Sequence, residues 1–153
     1  MNKGIFGADV DICRHPNKEG KLVTPCIVTD NGDLVDLRAA ESYDIKAGDF
    51  VIISLGITVK FPEGFWGFLA PRSSLFKKTG LIVANSVGVI EQCYCGPDDI
   101  WGLAVYATRD THIDFDQRIA QFTLIPKVSM KLNDVEEVSQ SESRGGFGST
   151  GDK

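Results

Sequence analysis

Phe50-Val-Ile-Ile-Ser-Leu-Gly-Ile-Thr-Val-Lys-Phe61 is crowded with β-branched and aromatic side chains and carries a single glycine, Gly56. Such residues fit a pleated, half-buried surface, and a lone glycine inside the run marks a break, so the stretch predicts β-structure interrupted at Gly56. Ile45-Lys-Ala-Gly-Asp49 before it and Pro62-Glu-Gly64 after it read as turns through their Gly and Pro. Outward from there, Leu34 to Ala40, Phe65 to Ala70, Leu103 to Ala107 and Ile119 to Pro126 give further short strands. Gly4 to Arg14 alternates like a strand until Lys18-Glu-Gly-Lys21 interrupts the pattern, and a structural role is expected for it. Only Ser73 to Lys78 offers a short helix. Repeated short strands between Gly and Pro turns predict an all-β sandwich or barrel.

The chain has 153 residues, enough for one domain with a real core and no disulfide staples. Its formal net charge of −5 argues against a nucleic-acid binder, which usually shows a basic face, but leaves room for a free nucleotide held by a few local cations. Cys13, Cys26, Cys93 and Cys95 lack paired metal-ligand spacing, and neither a signal peptide nor a bilayer-spanning run is present, so a soluble, cytoplasmic protein with reduced thiols is expected. After Pro126 the texture turns polar and acidic, with Glu136, Glu137 and Glu142 and no strong period. Residues 1–131 are therefore read as the β domain and 132–153 as a flexible C-terminal arm.

That arm ends in Arg144-Gly-Gly-Phe-Gly-Ser-Thr-Gly151, which mixes an aromatic with closely spaced glycines and hydroxyls, unlike ordinary linker composition. It lacks the Gly-Lys-Ser/Thr of a Walker loop. Even so, Gly146, Gly148 and Gly151 would let backbone amides approach phosphate, Ser149 and Thr150 could donate hydroxyls, and Arg144 could neutralise charge. Phe147 could stack on a base and exclude water.

Pro71-Arg-Ser-Ser-Leu75 offers an Arg fork, hydroxyls and amides at a strand-to-helix junction, the groups a triphosphate needs. Arg72, Ser73 and Ser74 are the phosphate candidates, against the alternative that Ser73 simply caps a helix. Gln121 could add an amide donor, while Arg118 is either a phosphate ligand or, preferably, the partner of a local acid. Asn85-Ser-Val-Gly-Val-Ile-Glu-Gln-Cys-Tyr-Cys-Gly96 reads as a hairpin, with Gly88 and Gly96 free in backbone shape and Glu91 and Tyr94 set among apolar residues. Phosphoanhydride hydrolysis needs an in-line water, a base for it and cations on the moving charge. Glu91 is the candidate base, or else pairs with a basic residue. Asp36 is the carboxylate expected to hold Mg²⁺, through water because that ion dehydrates reluctantly.

Together these stretches resemble the trimeric dUTPases. The resemblance covers roughly residues 34 to 128 and the final octet, with five motifs in order: Asp36-Leu-Arg-Ala-Ala40, Pro71 to Leu75, Asn85 to Gly96, Arg118-Ile-Ala-Gln121 and Arg144 to Gly151. It implies a distorted jelly-roll, β-barrel-like homotrimer hydrolysing dUTP to dUMP and pyrophosphate, so limiting uracil in DNA and supplying dUMP. One subunit would supply the first, second and fourth motifs, a second the hairpin and a third the arm. Asp36 would then hold Mg²⁺ through water, and Arg72, Ser73 and Gln121 would bind phosphate. Asn85 and the hairpin backbone would read uracil, Tyr94 would pack under the sugar, and Phe147 would stack on the base. Arg144, Ser149 and Thr150 would hold the terminal phosphate.

The chain departs from the family pattern where chemistry is concentrated. Glu91 stands where the base is normally Asp, Cys93 replaces the hairpin's second acid, Leu34 replaces a Gly, and Asp116-Gln117 replaces a Gly and an acid before Arg118. The extra methylene of Glu91 moves the carboxylate by about one bond length, where roughly 1 Å can cost about 100-fold in rate. Two alternatives follow. One is a dUTP-binding or regulatory module with weakened turnover. The other is an enzyme related to dCTP deaminase, against which the five-residue spacing from Glu91 to Gly96 and the Gly-rich arm both speak.

Overall fold

The computed structural model describes residues 7–29, 31–138 and 145. Its strands are β1 (Asp11–Arg14), β2 (Val35–Arg38), β3 (Tyr43–Ile45), β4 (Phe50–Ser54), β5 (Ile57–Lys60), β6 (Phe65–Pro71), β7 (Leu81–Val83), β8 (Gly88–Ile90), β9 (Gly102–Ala107), β10 (Thr111–Ile113) and β11 (Arg118–Pro126). Helix α1 spans Leu75–Thr79 and ends on Gly80, whose φ of 72° is the left-handed shape that glycine adopts without penalty. Among the described residues the chain is thus nearly all β with one short helix. The break at Gly56 separates β4 from β5, and there φ is 62° with Ala40 close by.

All pairings are antiparallel. One four-stranded sheet has the order β2-β11-β6-β8 and one three-stranded sheet the order β4-β9-β7, flanked by the pairs β1-β5 and β3-β10. Alternation along β4, β9 and β7 sends Ile53, Leu103 and Val105 into the core. The opposite face of the same strands leaves Phe50, Tyr106 and Ile82 in one exposed cross-strand row, beside Ile52. In the core, Trp101 meets Phe122 edge to face at 5.2 Å between ring centroids. Each fully buried Leu or Ile contributes about 1.5–3 kcal/mol relative to exposure, so this shared core is what holds the small sheets together.

The N-terminal segment is built into the domain. β1 pairs with β5, Arg14 Nη1 donates to Val23 O at 2.7 Å, and Asn17 Nδ2 donates to Ala40 O at 3.0 Å. Strands β3, β7 and β10 are three-residue elements, too short for periodicity to announce. The hairpin differs from expectation. Only Gly88–Ile90 is strand, and Glu91 begins a turn rather than lying inside an apolar strand. The cause is local: Tyr94 N–H donates to Glu91 O and Cys95 N–H to Cys93 O, both at 3.0 Å, which folds the backbone back.

Residues 127–138 carry no regular element and are exposed. Arg144, Phe147, Gly148, Ser149 and Thr150 lie outside the described residues.

Candidate active site: two half-sites on one chain

The register of the four-stranded sheet sets Asp36, Gln121 and Ala70 side by side on β2, β11 and β6. The register shifts between Arg118 and Ala120 at the start of β11, and Arg118 Nη1 meets Asp36 Oδ2 at 3.1 Å. From the end of β6, Arg72 Nε meets Asp36 Oδ1 at 2.9 Å. One carboxylate therefore holds two guanidiniums, leaving a net positive cluster whose remaining N–H groups suit phosphate. Arg118 is thus the partner of a local acid, as its position suggested. Gln121 Nε2 spends one N–H on Pro71 O at 3.2 Å and keeps a second.

Ser74, not Ser73, is the N-cap of α1, and its side chain makes no capping bond. Ser73 is exposed at the mouth of a pocket of about 550 Å³ lined also by Arg72, Phe76 and Ser86. The hydroxyls of Ser73 and Ser74 are therefore not committed to the helix.

The hairpin builds a second pocket, of about 570 Å³, lined by Asn85, Glu91, Cys93, Tyr94, Ile52 and Trp101 among others. Glu91 is exposed rather than set among buried apolar side chains. Its side chain instead accepts a hydrogen bond from Cys93 Sγ at 3.6 Å. Gly88 lies against Leu69, where an added Cβ would come within 2.9 Å of that side chain. Across the loop, Asp99 Oδ2 accepts from Gly96 N–H at 2.7 Å, while Thr58 Oγ1 donates to Asp99 O and contacts His15 Nε2. The turn after Glu91 is thereby tied to β5 and to the N-terminal segment.

These two half-sites lie apart on one chain. Ile90, the last residue of β8 before Glu91, pairs with Gly67, and Arg72 follows Pro71 at the other end of β6. Gly67 to Arg72 spans roughly 17 Å at about 3.3 Å per strand residue, and the Arg72 side chain reaches Asp36 on β2, the opposite edge of the sheet from β8. A triphosphate is far shorter.

The chemistry of Asp36 bears on Mg²⁺. Both its oxygens are in ion pairs, and among the described residues no cluster of three or more His, Cys, Asp or Glu could cage an ion. A carboxylate retains lone pairs after two such bonds, so Asp36 fits a water-mediated contact to a hydrated ion arriving with the phosphates.

Asp116 stands out in the sequence as a departure from the family pattern, but its bonding does not. Its φ of 64° is left-handed, a conformation that glycine takes freely and Asp tolerates better than most residues. The carboxylate accepts from Thr24 N–H at 2.7 Å and Thr24 Oγ1 at 2.6 Å, and Arg38 Nη1 reaches both Asp116 O and Oδ2. Partial burial opposes its charge, but the Thr24 hydroxyl and amide and the Arg38 guanidinium outweigh that and hold its carboxyl below the usual range. The signal available in sequence was an Asp in a position where the backbone wants glycine.

Fold and pockets define an antiparallel β domain with an arginine-rich, phosphate-suited half-site and a separate hairpin half-site. The chain belongs to the dUTPase family, whose pattern matches residues 24–151. It is 42% identical over 125 residues to the SPbeta prophage-derived deoxyuridine 5'-triphosphate nucleotidohydrolase YosS of Bacillus subtilis (strain 168), covering 81% of this chain and 87% of that protein. Its fold is similar to that of the Staphylococcus bacteriophage 80alpha dUTPase solved with dUPNHPP, at a TM-score of 0.78 and 22% identity over 94% of this chain and 98% of that one. A dUTPase mutant from phage phi11 of S. aureus, described for the coordination of a structural Mg(II) ion, aligns at a TM-score of 0.71 with 18% identity, covering 84% and 97%.

Proposed function

We propose that this protein hydrolyses dUTP to dUMP and pyrophosphate at sites shared between the chains of a homotrimer. Family membership supports the reaction. The observation that carries the shared site is the separation of Glu91 from Arg72 along β6, because one short triphosphate cannot meet both on one chain. The exposed row of Phe50, Tyr106 and Ile82 supports assembly, being apolar surface that a second copy would remove from water. No helix among the described residues is long and apolar enough to cross a membrane. A cytoplasmic enzyme acting on free nucleotide, with no direct nucleic-acid partner, is the reading in keeping with the acidic chain.

In this mechanism a water oxygen attacks the α-phosphorus in line, the bond from that phosphorus to the bridging oxygen breaks, and pyrophosphate leaves. Glu91 orients the water and takes its proton. Arg72, with Ser73, Ser74 and Gln121 beside it, holds the phosphate oxygens as negative charge moves toward the leaving group. When bound, Mg²⁺ would shield that charge, with Asp36 contacting it through water. Asn85 and the Gly88 backbone read the uracil edge, and Tyr94 packs under the sugar where a 2′-hydroxyl has no room. We assign Phe147 to stacking on uracil and Arg144, Gly148, Ser149 and Thr150 to the terminal phosphate, on an arm running from residue 132. In the cell the reaction would limit uracil incorporation into DNA and supply dUMP.

The test is steady-state pyrophosphate release across dUTP, dCTP, dTTP and UTP. Release from dUTP alone is expected. Binding of dUTP with Mg²⁺ but no pyrophosphate would leave a binding module, and ammonia from dCTP would point to a deaminase. Deleting residues 144–153 is expected to slow hydrolysis without dissociating the trimer, and a monomeric product on size exclusion would make the arm an assembly element instead.

A further inference from the structure

The turn that carries Glu91 also carries a contact that the hydrolysis scheme leaves unused. Bonds from Tyr94 N–H to Glu91 O and from Cys95 N–H to Cys93 O fold the backbone back directly after β8. That fold brings the Cys93 thiol to 3.6 Å from Glu91 Oε2, a bonding distance for a sulfur donor, and both side chains line the hairpin pocket.

An exposed glutamate turns about three side-chain torsions, and a base that samples many rotamers aims a water poorly. Among the described residues no Lys, Arg or His forms an ion pair with Glu91, so no cation fixes its direction. Nor do the facing walls compete for it. β4 contributes Ile52, β9 contributes Gly102 and Ala104, and the approach to β9 contributes Ile100 and Trp101, none of them titratable. The remaining titratable groups on the lining are Cys93 and Tyr94, both from the turn itself. Among the described residues, the thiol is the one side chain that hydrogen-bonds the carboxylate.

We infer that Cys93 is a positioning residue for Glu91, its S–H donating to Oε2 so that Oε1 stays directed at the attacking water. The assignment rests on the proposed hydrolysis. A thiol suits the task because it is neutral and short. A carboxylate at the same point would set a like charge beside Glu91 and drive the two side chains apart. The reach also matters: the contact is made by Glu91 Oε2, and a base shorter by one methylene would draw its oxygens back by about one bond length from the thiol.

The experiment is a double-mutant cycle on the full chain with dUTP and Mg²⁺, reading kcat and KM separately. Cys93→Ala should lower kcat about tenfold with KM changed by less than about twofold, since the lost contact bears on aim rather than binding. Cys93→Ser, which keeps a donor, should recover kcat to within about threefold of the parent. In a Glu91→Asp background the same Cys93→Ala change should alter kcat by less than about twofold, because the shorter carboxylate has no thiol contact to lose. Equal losses in the Ala and Ser variants, a change confined to KM, or an undiminished Cys93→Ala effect in the Glu91→Asp background would each overturn the inference. If the parent protein turns over dUTP and Cys93→Ala matches it, the positioning role falls and the hydrolysis stands. If the parent releases no pyrophosphate, both fall.

Discussion

The two half-sites are built on opposite principles. The Asp36, Arg72 and Arg118 cluster lies on β2, on β11 and directly past the end of β6, where the sheet holds the backbone and the carboxylate clamps both guanidiniums. The Glu91 half-site sits on a turn, outside the ladder, with an exposed side chain restrained by a thiol. In the proposed mechanism phosphate recognition needs fixed charge, and the residues assigned to it lie on rigid elements. The base needs a final adjustment against substrate, and a turn backed by Gly96, Asp99 and Thr58 permits that without moving the sheet.

The largest expected effect tests the loop half. Glu91→Gln should lower kcat by at least about 1,000-fold, the upper part of the range for a general base, while calorimetry finds dUTP binding within about threefold of the parent. Equal loss of both would make Glu91 a structural residue. On the sheet half, Arg72→Ala should lower kcat/KM about 100-fold, as for removal of a charge-stabilising donor. Coexpressing Arg72→Ala and Glu91→Gln chains then sets the halves against each other. Mixed trimers should recover activity well above either parent variant, and no recovery would break the shared-site assignment.

A smaller effect is expected where the loop before β11 is tied to the N-terminal segment. Asp116→Ala should cost about 1–2 kcal/mol in urea unfolding, since it loses hydrogen bonds and keeps the left-handed strain. Asp116→Gly relieves the strain and should cost less. The folded carboxyl of Asp116 titrates below 3.8, so this contribution is full above the unfolded value and is lost as pH falls through the folded one. The least effect belongs to His112, whose Nδ1 lies 2.6 Å from Asp44 Oδ1. That bond, with Asp114 nearby, holds the imidazole above its ordinary 6.5. Its stabilisation is therefore present below pH 6.5 and disappears as pH rises through the folded value. Melting curves at about pH 5.5 and 8.5 should differ less in His112→Ala than in the parent; an unchanged difference would remove His112 as a source of the pH dependence.

Much of the β architecture could be read in residue types, because Gly56, Pro62 and Gly64 punctuate runs of Val, Ile and Phe. Strands of three residues could not, since their existence depends on partners distant in sequence, such as Tyr43 facing Ile113. That Arg118 partners a local acid was legible as charge seeking countercharge, whereas Asp36 as that acid was not, because strands β2 and β11 meet only in the folded sheet. The length of Glu91 was legible too, but its exposure and its thiol partner were not, because both depend on a reversal of the backbone after Ile90 that no hydrophobic period encodes. Asp116 likewise stood out as a departure, whereas Thr24 as its partner lies 92 residues away.

In the proposed trimer strand β6 is a spacer between the two halves of the site, which makes activity depend on assembly. A reaction whose groups are kept apart on every single polypeptide answers to how many polypeptides are together. Specific activity would fall on dilution at the point where trimers dissociate, and would return on concentration without any chemical change to the chain. Partially assembled protein would be silent, so each newly made subunit could carry its acid and its arginines through the cell without destroying nucleotide until two neighbours had closed around it.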